Sequence, residues 1–169
     1  MELTQELIKE LFEYRDGFLY WKVDRVANKV KGEKAGYVNE KKTGARHVLT
    51  VNRKLYYLSR LIFLWHHGEL PDVVDHEDRN KLNNRIENLR KATSIENGKN
   101  KTARKNSSSI YLGVTRRKAR NSWEASIEVN GKGIYLGQFK KEYQAALAYN
   151  REAVRHHKEF ANLNIIINY

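Results

Sequence analysis

The stretch that most restricts this chain covers residues 73–101 and reads VVDHEDRNKLNNRIENLRKATSIENGKNK. Asp75 stands directly beside His76, asparagines follow at Asn80, Asn83, Asn84 and Asn88, and Asn97 closes the run. The carboxylate of Asp75 and the amide oxygen of Asn97 are hard oxygen ligands suited to Mg²⁺ or Mn²⁺, and an imidazole beside such an ion can take a proton from water. For the two oxygens to share a cation, side chains 22 positions apart must converge, which is a demand on the fold. The plainer reading is that Asp-His pairs arise by chance and that asparagine runs form turns through side-chain hydrogen bonds.

The joint spacing separates the two. Asn88 lies twelve residues beyond His76, and Asn97 nine beyond Asn88. In this the segment resembles the HNH nuclease motif, in the variant of phage and intron-encoded homing endonucleases in which asparagine replaces the final histidine. The resemblance extends over residues 11–100 and implies a ββα-metal unit: a strand at 73–76, an asparagine-rich connection, a second strand near 89–92 and a helix after Thr93. Thr93 with Glu96 forms a capping-box pattern that puts Asn97 on the first turns of that helix. The resemblance makes His76 the general base and makes Asp75 and Asn97 the ligands of one divalent ion. It gives Asn88 the task of holding the loop and orienting the histidine, and implies 5′-phosphate and 3′-hydroxyl products. With asparagine at 97, Mg²⁺ or Mn²⁺ is expected and tight Zn²⁺ binding is not. Arg79 stands where many relatives have glycine.

Charge points to the same partner. The 169 residues carry 32 Lys and Arg against 20 Asp and Glu, a net +12. Such an excess favours a polyanion. No apolar run approaches a membrane span and no basic amphipathic helix stands out, so nucleic acid is the expected partner and membrane is not, and the resemblance implies double-stranded DNA. Cysteine is absent, which removes disulfides, thiol catalysis and cysteine-bound zinc. The polar start, MELTQ, has no signal-peptide pattern, so a cytoplasmic protein is expected, in a bacterial host cell if phage-encoded. No protein partner is implied, and a monomer is compatible with the sequence.

Ahead of the motif, Leu3, Leu7, Leu11 and Phe12 recur at helical spacing, which predicts a helix over 3–14 with Thr4 as its cap. Asp16-Gly17 signals a turn into a strand at 18–22, and residues 23–34 read as a charged loop. Strands are expected at 36–39, 46–52 and 54–57, an antiparallel layer that could cover the N-terminal helix. Ser59 is expected to cap a helix over 60–67, ended by Gly68. His66 and His67 point about 100° apart on such a helix and cannot easily face one ion.

Beyond the motif the balance changes. Residues 1–98 hold 18 basic and 15 acidic side chains, whereas residues 99–169 hold 14 and 5. The stretch NKTARKNSSS at 100–109 reads as a linker whose Lys101, Arg104 and Lys105 could track a DNA backbone. Strands are expected at 110–117, 122–129 and 133–139, the last two joined by Asn130-Gly131, a strong hairpin signal. Trp123, Ala125, Ile127 and Val129 alternate with Glu124, Ser126 and Glu128, and the first set faces a core. A helix over 141–157 carries small residues at Ala145, Ala146, Ala148 and Ala153 that let it lie close on the sheet.

This C-terminal unit, with YLGVTRR from Tyr111, WEA from Trp123, IYLGQF from Ile134, AALAYN from Ala145 and ANLN from Ala161, resembles the Apetala or ethylene-response-factor type of DNA-binding domain over residues 108–166. The resemblance places Thr115, Arg117, Ser126, Glu128 and Tyr135 toward DNA and Arg116, Lys118 and Arg120 near phosphate. Ser126, Glu128 and Gly133 stand where plant relatives use charged readers, so the plant target site does not carry over. Glu128 is expected to pair with Arg117 across the sheet.

The whole chain is thus expected to be α+β. A ββα-metal HNH nuclease module with N-terminal antiparallel strands fills 1–105, its metal core at 72–104. A small three-stranded antiparallel sheet packed on one helix fills 106–169. The expected activity is metal-dependent cleavage of one DNA strand. The alternative is a DNA-binding regulator that keeps an inactive nuclease fold, and a restriction-type enzyme would differ in target rather than in chemistry.

Overall fold

A computed structural model describes residues 3–24, 31–40, 44–100 and 107–167. The chain divides into two compact units, Met1–Ser94 and Ile95–Tyr169. The expected boundary at 105 and the cations Lys101, Arg104 and Lys105 lie outside the described residues.

In the first unit, α1 (Gln5–Leu11) is capped by Thr4, whose hydroxyl accepts from the Leu7 amide at 3.3 Å. The helix is shorter than its periodicity predicts. Phe12 leaves it with extended backbone, and β1 (Phe12–Arg15) turns through Asp16 and Gly17 into β2 (Phe18–Trp21). Pairing decides this: Phe12 stands opposite Trp21 with ring centroids 4.4 Å apart, a contact no further helical turn could make.

Strands β3 (Tyr37–Asn39), β4 (Arg46–Val51) and β5 (Lys54–Tyr57) form an antiparallel sheet with β4 central. Asn52 and Arg53 both take positive φ, as a tight two-residue hairpin turn requires. Next comes α2 (Leu58–His67), which starts earlier than expected. Tyr57 occupies the cap without a side-chain hydrogen bond, and Ser59 is buried inside the helix rather than capping it, because Leu58 is drawn into the core. At its far end Gly68 is left-handed, and its amide donates to the Leu64 carbonyl at 3.0 Å.

One core joins these pieces: Ile8, Leu11, Phe12, Leu19, Trp21, Leu49, Val51, Leu61, Ile62 and Leu64 are buried together. Each large apolar side chain there contributes about 1.5–3 kcal/mol. Polar anchors fix the geometry. Gln5 donates to the Trp65 carbonyl at 2.9 Å, and Arg60 Nε donates to the Pro71 carbonyl at 2.6 Å, which directs the chain leaving α2. From there β6 (Val73–His76) pairs antiparallel with β7 (Leu89–Ala92) and adds Leu89 to the same core.

The second unit begins with most of α3 (Ser94–Lys99) and contains β8 (Val114–Arg117), β9 (Ser122–Val129), β10 (Lys132–Phe139) and α4 (Glu142–His157). The sheet order is β10-β9-β8, all antiparallel, with Asn130 and Gly131 at positive φ in the hairpin. Ala145, Ala146, Ala148, Tyr149 and Ala153 of α4 are buried against the sheet, and the Tyr149 hydroxyl is pushed up to about 12 by burial.

The strand expected at 110–117 is regular only from Val114. At φ +73, Gly113 presses so close to the Tyr149 ring and the Ser126 carbonyl that a Cβ would lie 2.1 Å and 2.5 Å from them. Leu112 is held by a side chain instead, since Asn164 accepts from its amide at 2.7 Å and donates to its carbonyl at 3.1 Å. Asn164 in turn exchanges backbone hydrogen bonds with the Asn150 carboxamide, which ties the C-terminal segment to α4.

Candidate active site

Asp75 and His76 end β6, and the hairpin register sets their surroundings. Asp75 pairs with Arg90, and His76 with Leu89. Asp75 is buried at 3% exposure, and Arg90 donates to its Oδ2 from Nε at 3.0 Å and from Nη2 at 2.7 Å. An ionised carboxylate so far from water needs such charge-assisted hydrogen bonds.

His76 is half-buried, and burial pushes its imidazole below the ordinary histidine range despite the hydrogen bond to Asn84 and the nearby Asp78 and Asp75. Its Nε2 lies 3.0 Å from Oδ1 of Asn84, and Nδ2 of the same carboxamide lies 3.2 Å from Nδ1 of His47. Asn84 is 3% exposed. On β4, His47 receives the edge of the Phe18 ring at 5.1 Å, and burial and then Lys34 lower its pKa.

The connection from β6 to β7 closes on Asn88. Its Oδ1 accepts from the Asp78 amide at 3.0 Å, and its Nδ2 donates to Asp78 Oδ1 at 2.9 Å and to the Asn83 carbonyl at 2.8 Å. Asp78 accepts as well from Asn83 Nδ2 at 2.7 Å and from the Asn80 amide at 2.8 Å. Burial opposes ionisation of Asp78, but these donors outweigh it and hold the carboxyl below its usual range. Arg79 sits in this turn at φ +66, a conformation that glycine adopts without a steric penalty.

Asn97 lies on α3, in the second unit. Among the described residues no group of three or more His, Cys, Asp or Glu could hold a metal ion. His66 and His67 belong elsewhere: His66 stands edge-on to Tyr14 at 4.5 Å, and His67 lies against Phe63 at 4.4 Å.

On the C-terminal sheet the period-two alternation brings Thr115, Arg117, Ser126, Glu128 and Tyr135 onto one exposed face, with Ser126 opposite Tyr135 and Glu128 opposite Gly133. Arg117 pairs with Glu124 at 2.7 Å and not with Glu128, because Arg117 stands opposite Ser122, two residues along β9 from Glu124 and six from Glu128. Lys118 and Arg120 are exposed in the turn that follows. The Arg116 guanidinium lies over the Trp123 ring at 4.7 Å and donates to Asn121.

Three participants escaped the sequence reading. Arg90 could have been found by setting β6 against β7, since cross-strand opposite charges attract. Asn84 was visible only as one asparagine among several, and His47, 37 residues away from it, carried no local signal.

The family described as HNH endonuclease matches residues 56–99, and nucleases of that family generally use a divalent metal ion. The uncharacterized HNH endonuclease L560 of Acanthamoeba polyphaga mimivirus is 38% identical over 101 residues, 59% of this chain and 51% of that protein. The AP2-like ethylene-responsive transcription factor TOE2 of Arabidopsis thaliana is 38% identical over 69 residues, 41% of this chain and 14% of that protein. The chain therefore spans about half the length of the first relative and a small part of the second. No solved structure matches significantly. No helix among the described residues is long and apolar enough to cross a membrane.

Proposed function

We propose, from the premise that residues 56–99 form an HNH endonuclease domain, that the chain hydrolyses phosphodiester bonds in double-stranded DNA and cuts one strand. The observation that carries this reading is His76, half-buried and adjacent in sequence to the buried carboxylate of Asp75, within the matched segment. His76 is the general base. It takes a proton from water, the water oxygen bonds to phosphorus, and the bond from phosphorus to the 3′ oxygen breaks as that oxygen takes a proton from solvent, leaving 5′-phosphate and 3′-hydroxyl ends.

Asp75 and Asn97, one in each unit, are the candidate oxygen donors to a Mg²⁺ or Mn²⁺ ion. Their chemistry suits it, since both offer hard oxygens. Such an ion supplies positive charge to a phosphate oxygen and to the departing oxygen. Asn88 holds the loop between the strands through its bonds to Asp78 and Asn83, and so keeps His76 in place.

Residues 106–169 serve as the DNA-binding part, with Thr115, Arg117, Ser126, Glu128 and Tyr135 facing the groove. Arg116, Lys118 and Arg120 lie near phosphate, and Lys101, Arg104 and Lys105 follow the backbone. The sequence similarity to a plant transcription factor supports this half, and the viral relative supports a viral or other mobile-element setting. One observation favours a second reading, a DNA-binding regulator with an inactive nuclease fold. The Arg90–Asp75 pair gives Asp75 a purely structural use.

A plasmid-nicking assay with added Mg²⁺ separates the two. His76→Ala lowers the rate by about 10²–10⁴, the usual contribution of a general base. Wild-type nicking by that variant removes the mechanism, and no nicking by the native chain leaves the regulator. Asp75→Ala abolishes metal-dependent cleavage and keeps DNA binding; an equal loss of both makes Asp75 structural.

A further inference from the structure

The buried carboxamide of Asn84 touches two histidines, and its two ends cannot exchange roles. Oδ1 only accepts and Nδ2 only donates, so the contact with His76 requires a proton on His76 Nε2, and the contact with His47 requires a lone pair on His47 Nδ1. We propose that Asn84 is the positioning residue for His76: held between the two imidazoles, it fixes the ring and its tautomer, so that Nδ1 of His76 carries the lone pair. This rests on the reading of His76 as general base only for its catalytic consequence, which is that Nδ1 receives the proton of water.

What locates the carboxamide lies outside the Asp-His and asparagine spacing. Gly17, at φ +81 in the β1–β2 turn, presses on the backbone at Asn84, where a Cβ would come within 2.8 Å of Arg85 N and 2.9 Å of Asn84 C. The Tyr14 hydroxyl accepts from the Ile86 amide at 3.1 Å, and the Asn83 carbonyl is taken by Asn88 at 2.8 Å. Asn84 is thus clamped on both sides by backbone contacts, and His47 is fixed by its strand and by the Phe18 ring. A carboxamide turned end for end would put the His76 proton on Nδ1 and leave the lone pair on Nε2, aimed back into the protein. Neutral imidazoles take either tautomer in water, so the orientation must come from a neighbour.

The experiment measures ¹⁵N shifts of the histidine rings in the full chain at pH 8, together with Mg²⁺-dependent nicking of supercoiled plasmid. In the native chain His76 shows a protonated Nε2 and an unprotonated Nδ1. Asn84→Leu gives a mixture of tautomers and lowers kcat about 10- to 100-fold with KM within about twofold, a fraction of a whole base's contribution. Asn84→Asp, which still accepts from Nε2, restores the tautomer and most of kcat. His47→Gln, which still accepts from Nδ2, keeps the native pattern, and both milder variants guard against simple misfolding of Asn84→Leu. A native His76 protonated on Nδ1 overturns the proposal, as does an unchanged tautomer in folded Asn84→Leu. Nicking by His76→Ala at the native rate, with the tautomer still governed by Asn84, overturns the base assignment alone.

Discussion

Asp75 and Arg90 face each other across the β6–β7 hairpin, and two guanidinium nitrogens of Arg90 meet on one oxygen of the carboxylate. The pair is almost withdrawn from water, with side-chain exposures of 4% and 18%. A buried ion pair of this kind is costly to break from one side, because the remaining charge keeps its desolvation cost. Arg90→Ala is therefore expected to destabilise the chain by about 3 kcal/mol. Urea denaturation checks it, and a change below about 1 kcal/mol would show that the pair is solvated rather than buried. Asp75→Asn keeps one acceptor and costs less stability, yet loses metal-dependent nicking.

The loop between the two strands should be equally sensitive at Asn88. Removing its three hydrogen bonds by Asn88→Ala costs about 1 kcal/mol, since the two partners on Asp78 are exposed and regain water while the Asn83 carbonyl is part-buried. In the nicking assay kcat falls while KM holds, since what moves is His76 rather than the DNA-binding surface. A variant that binds DNA poorly but turns over normally would put Asn88 in recognition.

Acid should weaken the first unit through His66. Its Nε2 is buried with no hydrogen-bond partner among the described residues, and burial, followed by the neighbouring His67, lowers its pKa. The sign follows from proton binding: between the unfolded value near 6.5 and the lower folded value, the unfolded chain holds more protons, so stability drops as pH falls. His66→Phe keeps the ring against Tyr14 and removes this loss. Thermal midpoints at pH 7.5, 6.5 and 5.5 should fall less steeply for the variant, and parallel curves would clear His66 of the effect.

Gly17 offers a steric test of how firmly the N-terminal hairpin grips the loop. Gly17→Ala places a methyl against the backbone of Asn84 and Arg85 at a left-handed φ, where neither the neighbour nor the residue relaxes cheaply. A loss of about 2 kcal/mol is expected. Retention of native stability would mean the turn can lift away.

On the C-terminal sheet, Lys118 and Arg120 are exposed cations beside the proposed groove-facing surface. If each meets a phosphate, changing both to alanine lowers the slope of log K against log salt by about 2 and weakens binding to all DNA alike. An unchanged slope would place the DNA elsewhere.

Local pattern reached most elements because strands and helices write their period into the chain. The alternation from Ser122 to Val129, the Asn130-Gly131 turn and the Gly68 helix stop all stand where the residues put them. Local pattern also gave the candidate chemistry, since Asp75, His76, Asn88 and Asn97 lie within one short span. Where it misled, a partner distant in sequence had the stronger claim. Phe12 continued a helical stripe but joined Trp21, Ser59 had a cap's chemistry but sat inside a buried turn, and Arg117 met Glu124 rather than Glu128.

The sequence by itself therefore determined the motif spacing of the central segment, the basic character of the chain and the repeat of each regular element, all of which are properties of neighbours along the backbone. Only the tertiary structure decided that Arg90 holds Asp75, that Asn84 stands between His76 and His47, and that Gly17 and Tyr14 fix that asparagine. Hydrogen bonds act over about 3 Å and carry no trace in residues dozens of positions apart until burial and strand register bring them together.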